Sequence, residues 1–370
     1  MKIGLVSSHP FYFPGGVQEQ VKGLYKYLKS KGYYVKVLAP RHLKRENYGK
    51  DFLLFGNDIP FPMNESTGTI SFCFNLPKLQ KAMEKENFDL LHVHNIGFFT
   101  PLQILGLSKG KNVLTLHTLP AESPVDKFTL DLIKIWAKNN LGERFDSLIA
   151  TSKPVYDYAK DAYDGPKYII PNGIDLKRFS PKNKKIDKFV DGRVNILFVG
   201  RFDERKGLDY LIDAFEILKK RHRNIQLIIV GGGSRKPFYE ELVKEKRLDD
   251  VVFTGYVSDE DLPRYYATCD IFCSPAIHGE GFGVVLQEAM ATGKPVVGFA
   301  NAGYKQVITG DAKRFLVKPK DLDGLVKSIE TFIEDENLRK KFGKWGLKEV
   351  KKYSWENVGK QNLKVYKSLV

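Results

Sequence analysis

The chain has 370 residues, 42% of them hydrophobic and 28% charged, and a formal net charge of +15. That length favours two domains over one, no apolar run reaches the ~18 to 20 residues of a membrane span, and Cys73, Cys269 and Cys273 lack metal-ligand spacing and cannot all pair, which excludes a disulfide scaffold and points to a reducing cytoplasm. The basic excess is spread along the chain, denser at 181–188, at 338–352 and in the last helix, without the interleaved aromatics of a nucleic-acid binder; an anionic membrane surface or a generally solubilising charge is the expected reading.

The first residues, "MKIGLVSSHPFYFPGGVQ", lack the long apolar core of a secretory signal and read as a buried strand followed by a loop. From there, short β-branched runs alternate with amphipathic segments, the mark of βα units on a parallel sheet. Strands are expected at "KIGLVS", "YYVKVLA", "DLLHVH", "NVLTLH" and "SLIATS". The segment "VQEQVKGLYKYLKSKG" reads as a helix with Val17, Val21, Leu24 and Leu28 on one face and Gly32 as its stop. A second amphipathic helix, 75–88, carries modest lysine content and suits either an ordinary surface or a membrane face. The pattern breaks at "PNGIDLKRFSPKNKKIDKFVDGR" (171–193), a linker. It restarts with "VNILFVGR", a helix over 206–222, "IQLIIVGGG", a helix over 237–247, "VVFTG", "DIFCSP", a helix over 283–292 and "PVVGF". Two doubly wound α/β domains follow, and in such sheets ligands sit at the carboxyl ends of the strands, against helix N-termini.

Four loops at such ends carry candidate chemistry. Gly15-Gly16 opens the first helix and lets the backbone approach an anion, although a tight turn accounts for the same glycines. His117 ends a strand in "TLHT", where a histidine is either a satisfied structural residue or a reaction-centre one; His92 and His94 in "LLHVHN" alternate with apolar residues and take the structural reading. Arg201 follows a strand and Lys206 opens a helix, a fork and a point charge suited to a diphosphate, or two members of a solvated turn with Asp203, Glu204 and Arg205 between them. In "GEGFGVVLQEAM", Glu280 lies in a glycine-rich loop and Glu288 in the helix after it, leaning back towards that loop. Such carboxylates can accept from vicinal sugar hydroxyls, so one ligand carrying sugar, diphosphate and ribose would satisfy every group.

In order and spacing, "FPGGVQ", "FDLLHVH", "HT", "IPNGIDLKRF", "FVGRFDERKGLDYL", "LIIVGGG", "GEGFGVVLQEAMATGKPVV" and "YSWENV" span nearly the whole chain. Together they resemble the retaining glycosyltransferases of family 4 (group 1), which have the GT-B fold, and within them most of all the phosphatidylinositol mannosyltransferases. The resemblance implies two Rossmann-like domains facing a central cleft: an acceptor-side domain, 1–175 with a returning helix 353–370, and a nucleotide-sugar domain, 176–352. It implies that Gly15 and Gly16 face the donor diphosphate, that Gln18 lies near the acceptor, and that His117 sits under the transferred sugar. Arg201 and Lys206 would neutralise the leaving group, Glu280 would hold the donor sugar, the backbone at Gly283 and Val284 would cap phosphate, and Glu288 would hold the ribose. Neither cofactor nor bound metal is implied. The expected reaction moves mannose from GDP-mannose to a phosphatidylinositol-like or other lipid acceptor, in the cytoplasm or at the inner face of the cell membrane, with no nucleic-acid partner. In "HTLPAESP", Pro120 and Glu122 depart from the hydroxyl-rich, basic run of the mannosyltransferases. A UDP-sugar with a soluble acceptor, such as an inositol phosphate, a sugar or a small alcohol, therefore stays open.

Overall fold

A computed structural model describes residues 1–12, 15–43, 45–63, 66–95, 99–119 and 142–370. The chain forms two compact units, Met1–Gly173 with Trp355–Val370, and Ile174–Ser354.

In the first unit eight strands are ordered β4-β3-β2-β1-β5-β6-β7-β8. They are β1 (Lys2–Ser7), β2 (Tyr34–Arg41), β3 (Phe52–Met63), β4 (Ser66–Phe72), β5 (Leu90–His94), β6 (Lys111–Leu116), β7 (Ser147–Ala150) and β8 (Lys167–Ile169). The central strands are continuous apolar runs because both faces are covered. Ile3, Leu5 and Val37 join one buried cluster, and Val6, Leu38 and Val93 another. All pairs are parallel except β3 with β4. That antiparallel hairpin was not expected from a stretch holding Gly56, Pro60 and Pro62. It is tolerated because β2 pairs with β3 only as far as Asn57, so both prolines lie where one side of the strand has no sheet neighbour to serve.

The sequence order reverses between β1 and β5, so the loops after these two strands flank the point where doubly wound sheets bind ligands. The helix Gly16–Ser30 follows β1. The helix Trp355–Leu369 packs on it, and small residues permit the close approach: a Cβ built at Gly23 meets the Trp355 ring, and one at Gly359 meets Tyr27. Gln20 fastens the end of the unit, donating to the Gly173 carbonyl at 3.0 Å and accepting from its N–H at 2.7 Å.

The second unit has a six-stranded, wholly parallel sheet ordered β11-β10-β9-β12-β13-β14. Its strands are β9 (Val194–Arg201), β10 (Ile225–Gly232), β11 (Val251–Gly255), β12 (Ile271–Ser274), β13 (Val296–Phe299) and β14 (Leu316–Val317). Here the reversal falls between β9 and β12, so the segments after Arg201 and after Ser274 are the ones brought side by side. One large cluster fills both faces, with Phe198, Phe272, Leu286 and Phe299 fully buried. Among the described residues no helix is long and apolar enough to cross a membrane.

Helix propensity alone would make Gly23→Ala stabilising by about 1 kcal/mol. The Trp355 ring reverses that sign: Gly23→Ala should destabilise by about 1–3 kcal/mol in urea titrations. Gly23→Ala made in a Trp355→Ala background should then be neutral or stabilising.

Candidate active site

In the second unit β9 ends at Arg201, and a 3-10 turn, Glu204–Lys206, leads through Gly207 into the helix Leu208–Arg221. Gly207 has φ +64, and a Cβ there would run into the Pro275 carbonyl, so this turn and the loop after β12 are in backbone contact. The second loop runs from Pro275 to Gly283 and opens the helix Val284–Ala291. It is shaped by Gly279 at φ +74 and Gly283 at φ +113, and a Cβ on Gly303 would collide with the Glu280 carbonyl.

These constraints carry Glu280 to two cations. Lys206 Nζ lies 2.6 Å and Arg205 Nη1 2.8 Å from the same oxygen, Oε1, and all three side chains are 13% exposed. Burial alone would raise the Glu280 carboxyl, but the charges and hydrogen bonds of Lys206 and Arg205 outweigh it and hold it down at about 2. Burial pushes the Lys206 ammonium below its ordinary value, with Glu280 opposing. Arg201 Nη2 is 3.1 Å from the buried Asp203. Three cations, Arg201, Arg205 and Lys206, thus stand against two carboxylates, Asp203 and Glu280, a local excess suited to an anion.

Arg205 was read in the sequence as part of the spacer between Arg201 and Lys206. The 3-10 turn instead swings it onto Glu280 together with Lys206. Glu288 is buried in its helix, and its Oε2 accepts from the Tyr266 hydroxyl at 2.7 Å, a partner without signal in the sequence. Gly283 caps that helix and Val284 is its first residue, so the unpaired N–H groups of a helix start lie beside the Glu280 loop.

In the first unit Gly15 caps the helix Gly16–Ser30, and the space at Gly16 is open. Gln18 is buried and donates from Nε2 to the Pro10 carbonyl at 3.1 Å, which ties the helix to the loop after β1. His117, just past β6, is buried and bonded around its ring: Nδ1 to Asn172 Oδ1 at 3.0 Å and Nε2 to His94 Nδ1 at 2.9 Å. Its N–H donates to Asn95 Oδ1 at 2.8 Å. His94 therefore lies in the same cluster as His117. His92 is held at both nitrogens, by the Tyr366 hydroxyl at 2.5 Å and Thr115 Oγ1 at 2.6 Å. Burial lowers all three imidazoles, His117 to about 4, His92 to about 3 and His94 well below its usual value. Pro120 and Glu122 lie outside the described residues.

Among the described residues His222, Glu330 and Glu334 could together hold a metal ion. They sit where the helix Leu208–Arg221 ends, about 20 Å from its Lys206 end. The two Asp-x-Asp triplets serve helix starts and ion pairs: Asp321 caps Gly324, and Asp259 and Asp261 pair with Arg178 and Arg264.

Comparison with known proteins adds to this geometry. Residues 14–178 match the family description Glycosyltransferase Family 4, and residues 179–349 match Glycosyl transferases group 1. Two similar curated relatives are named phosphatidyl-myo-inositol mannosyltransferase. That of Mycolicibacterium smegmatis is 31% identical over 100% of this chain and 94% of its own length. That of Mycobacterium tuberculosis is 30% identical over 100% and 97%. Among solved structures, sucrose-phosphate synthase from Thermosynechococcus elongatus aligns with TM-score 0.78 and 22% identity over 100% of this chain and 99% of its own. Anabaena HepE in complex with UDP aligns with TM-score 0.76 and 20% identity over the full length of both. The fold is GT-B.

Since Glu280 is held at about 2 when folded and near its ordinary value of 4.5 when unfolded, its pairing stabilises the chain above pH 4.5 and is lost as the pH falls towards 2. Glu280→Gln should therefore cost on the order of 3 kcal/mol at pH 7 in denaturant titrations. The gap to the parent chain should shrink steadily below pH 4.5.

Proposed function

The chain belongs to the family 4, group 1 glycosyltransferases, and from that premise we propose that it moves mannose from GDP-mannose to a phosphatidylinositol-like or other lipid-linked acceptor. That the protein is a glycosyltransferase follows from the family; the donor and acceptor are our reading, supported by relatives named for mannosyl transfer over the whole length of the chain.

The observation that carries the chemistry is the Arg201–Arg205–Lys206 group around Glu280. A departing nucleoside diphosphate gathers negative charge, and fixed cations with a helix N-terminus stabilise it without being rearranged. On this reading Arg201 and Lys206 face the diphosphate, the backbone at Gly283 and Val284 caps phosphate, and no resident metal is needed. Both cations of the Glu280 pair meet Oε1, so Oε2 is the oxygen offered to a sugar hydroxyl. Glu288, steadied by Tyr266, takes the ribose. In the first unit Gly15 and Gly16 face phosphate, Gln18 lies on the acceptor side, and His117 serves the reacting sugar as a neutral ring. Retention is what the family resemblance implies, and no carboxylate of the Glu280 group is free of cations to act as a nucleophile, which favours front-face attack by the acceptor over a covalent intermediate. Exposed Phe74 and Leu76, with Lys78, Lys81 and Lys85 on the helix Leu76–Glu86, support peripheral contact with an anionic inner membrane face. A UDP-sugar with a soluble acceptor is the second reading, favoured by structural relatives that bind UDP.

The deciding assay is transfer of labelled mannose from GDP-mannose into phosphatidylinositol vesicles, with and without EDTA. Label in the organic phase, insensitive to EDTA, supports the reading; no label sends the search to UDP-sugars and soluble acceptors. In material of confirmed fold, Glu280→Ala should lose turnover yet bind free nucleotide within about threefold of the parent, while Glu288→Ala should weaken nucleotide binding about tenfold, the ~1.4 kcal/mol of one charged hydrogen bond. Equal loss of nucleotide affinity in both would refute that division of labour.

A further inference from the structure

His94 closes β5, and the sheet register sets it opposite Thr115 on β6, so His117 lies two residues beyond on the same face. The two rings stack with centroids 5.2 Å apart and an interplanar angle of 18°. Their hydrogen bonds admit one neutral arrangement. Asn172 Oδ1 is an acceptor, so His117 carries its proton on Nδ1, and its Nε2 is then a bare lone pair. The partner of that lone pair is His94 Nδ1, which must carry a proton. His94 Nε2 is left as an acceptor; it is buried and has no hydrogen-bond partner among the described residues.

A histidine kept for packing alone would bear the desolvation of that nitrogen for no gain, since leucine or phenylalanine would fill the same space. We propose that His94 is a positioning residue of the transfer reaction: its Nδ1–H donates to Nε2 of His117 and, together with Asn172 on the opposite ring nitrogen, fixes the tautomer and ring plane of that histidine where the sheet order reverses. The inference rests on the assignment of His117 to the reacting sugar.

The surroundings keep the pair neutral. The His92 ring lies 4.2 Å from that of His94, tilted by 34°, and is itself bonded to Tyr366 and Thr115. His9 faces His117 from the loop after β1, and Asn172 faces it after β8. Among the described residues no carboxylate contributes to the shifts of these rings, and burial is the largest cause of each. With every ring held below its ordinary value, the cluster is uncharged at neutral pH, and His117 acts through direction rather than charge.

The test uses two substitutions in the full chain. The amide nitrogen of asparagine occupies nearly the position of histidine Nδ1, so His94→Asn keeps the donor, whereas His94→Leu removes it. Nitrogen NMR of histidine-labelled protein should show His117 protonated at Nδ1 and bare at Nε2 in the parent and in His94→Asn, and a tautomer mixture in His94→Leu, where the Asn172 amide alone can turn to donate as readily as to accept. kcat should fall about 10- to 100-fold in His94→Leu, as for other residues that orient a functional imidazole, with donor KM within about threefold. His94→Asn should recover kcat to within about fivefold of the parent. An unchanged His117 tautomer in His94→Leu, or full kcat there while His117→Ala is inactive, overturns the inference. If leucine does not fold, His94→Asn alone decides: a scrambled tautomer with kcat intact overturns it. Full turnover in His117→Ala would instead strike the assignment of His117 itself.

Discussion

A carboxylate shared by two buried cations is the interaction on which the second unit depends. Glu280 cannot be buried alone, and neither can Lys206 or Arg205, because each charge would lose its water without replacement. Brought together at 2.6 and 2.8 Å they become mutually necessary, and the backbone around them is built to bring them there. Gly207 lets one loop lie on the other, and Gly303 leaves room for the Glu280 peptide. The reversal of strand order between β9 and β12 makes those two loops neighbours in the first place. The remaining positive excess is what makes the place attractive to an anion.

The first unit solves a different problem with uncharged groups. His92, His94 and His117 are three bases in a region that burial has stripped of water, and each is held in its neutral form. Neutral rings can be held by directional bonds without mutual repulsion: one run joins Asn172, His117 and His94, a second joins Thr115, His92 and Tyr366, and the two meet at the ring contact of His92 with His94. Direction is the resource here, where charge is the resource in the other unit.

The doubly wound pattern was legible because strands buried on both faces are written as uninterrupted β-branched runs, and "KIGLVS" and "IQLIIVGG" could hardly be read otherwise. The β3–β4 hairpin was hidden by Pro60 and Pro62, which forbid a central strand but not one with a free side. Arg205 was illegible for a related reason: four charges in a row, Asp203 to Lys206, look solvated, and only the 3-10 turn brings Arg205 and Lys206 together onto Glu280. Tyr266 approaches Glu288 from 22 residues away in sequence, beyond any local pattern. His94 left a usable signal. Residues two apart on a strand share a face, so once "HVH" and "TLHT" are taken as adjacent parallel strands, His94 and His117 have to fall close together.

The helix Trp355–Leu369 belongs to the first unit, yet it is encoded after all of Ile174–Ser354. A ribosome therefore delivers the second unit before the first has its last helix. During that interval the face of the helix Gly16–Ser30 around Gly23 and Tyr27 lacks the ring and backbone that later cover it. His92 likewise waits for the Tyr366 hydroxyl. Domains generally fold in the order of synthesis; here the segment that completes the first unit, with the Tyr366 partner of His92, is synthesised after the whole of the second. A nascent chain that stalled short of this helix would carry the Glu280 ion group while His92 still lacked the Tyr366 hydroxyl.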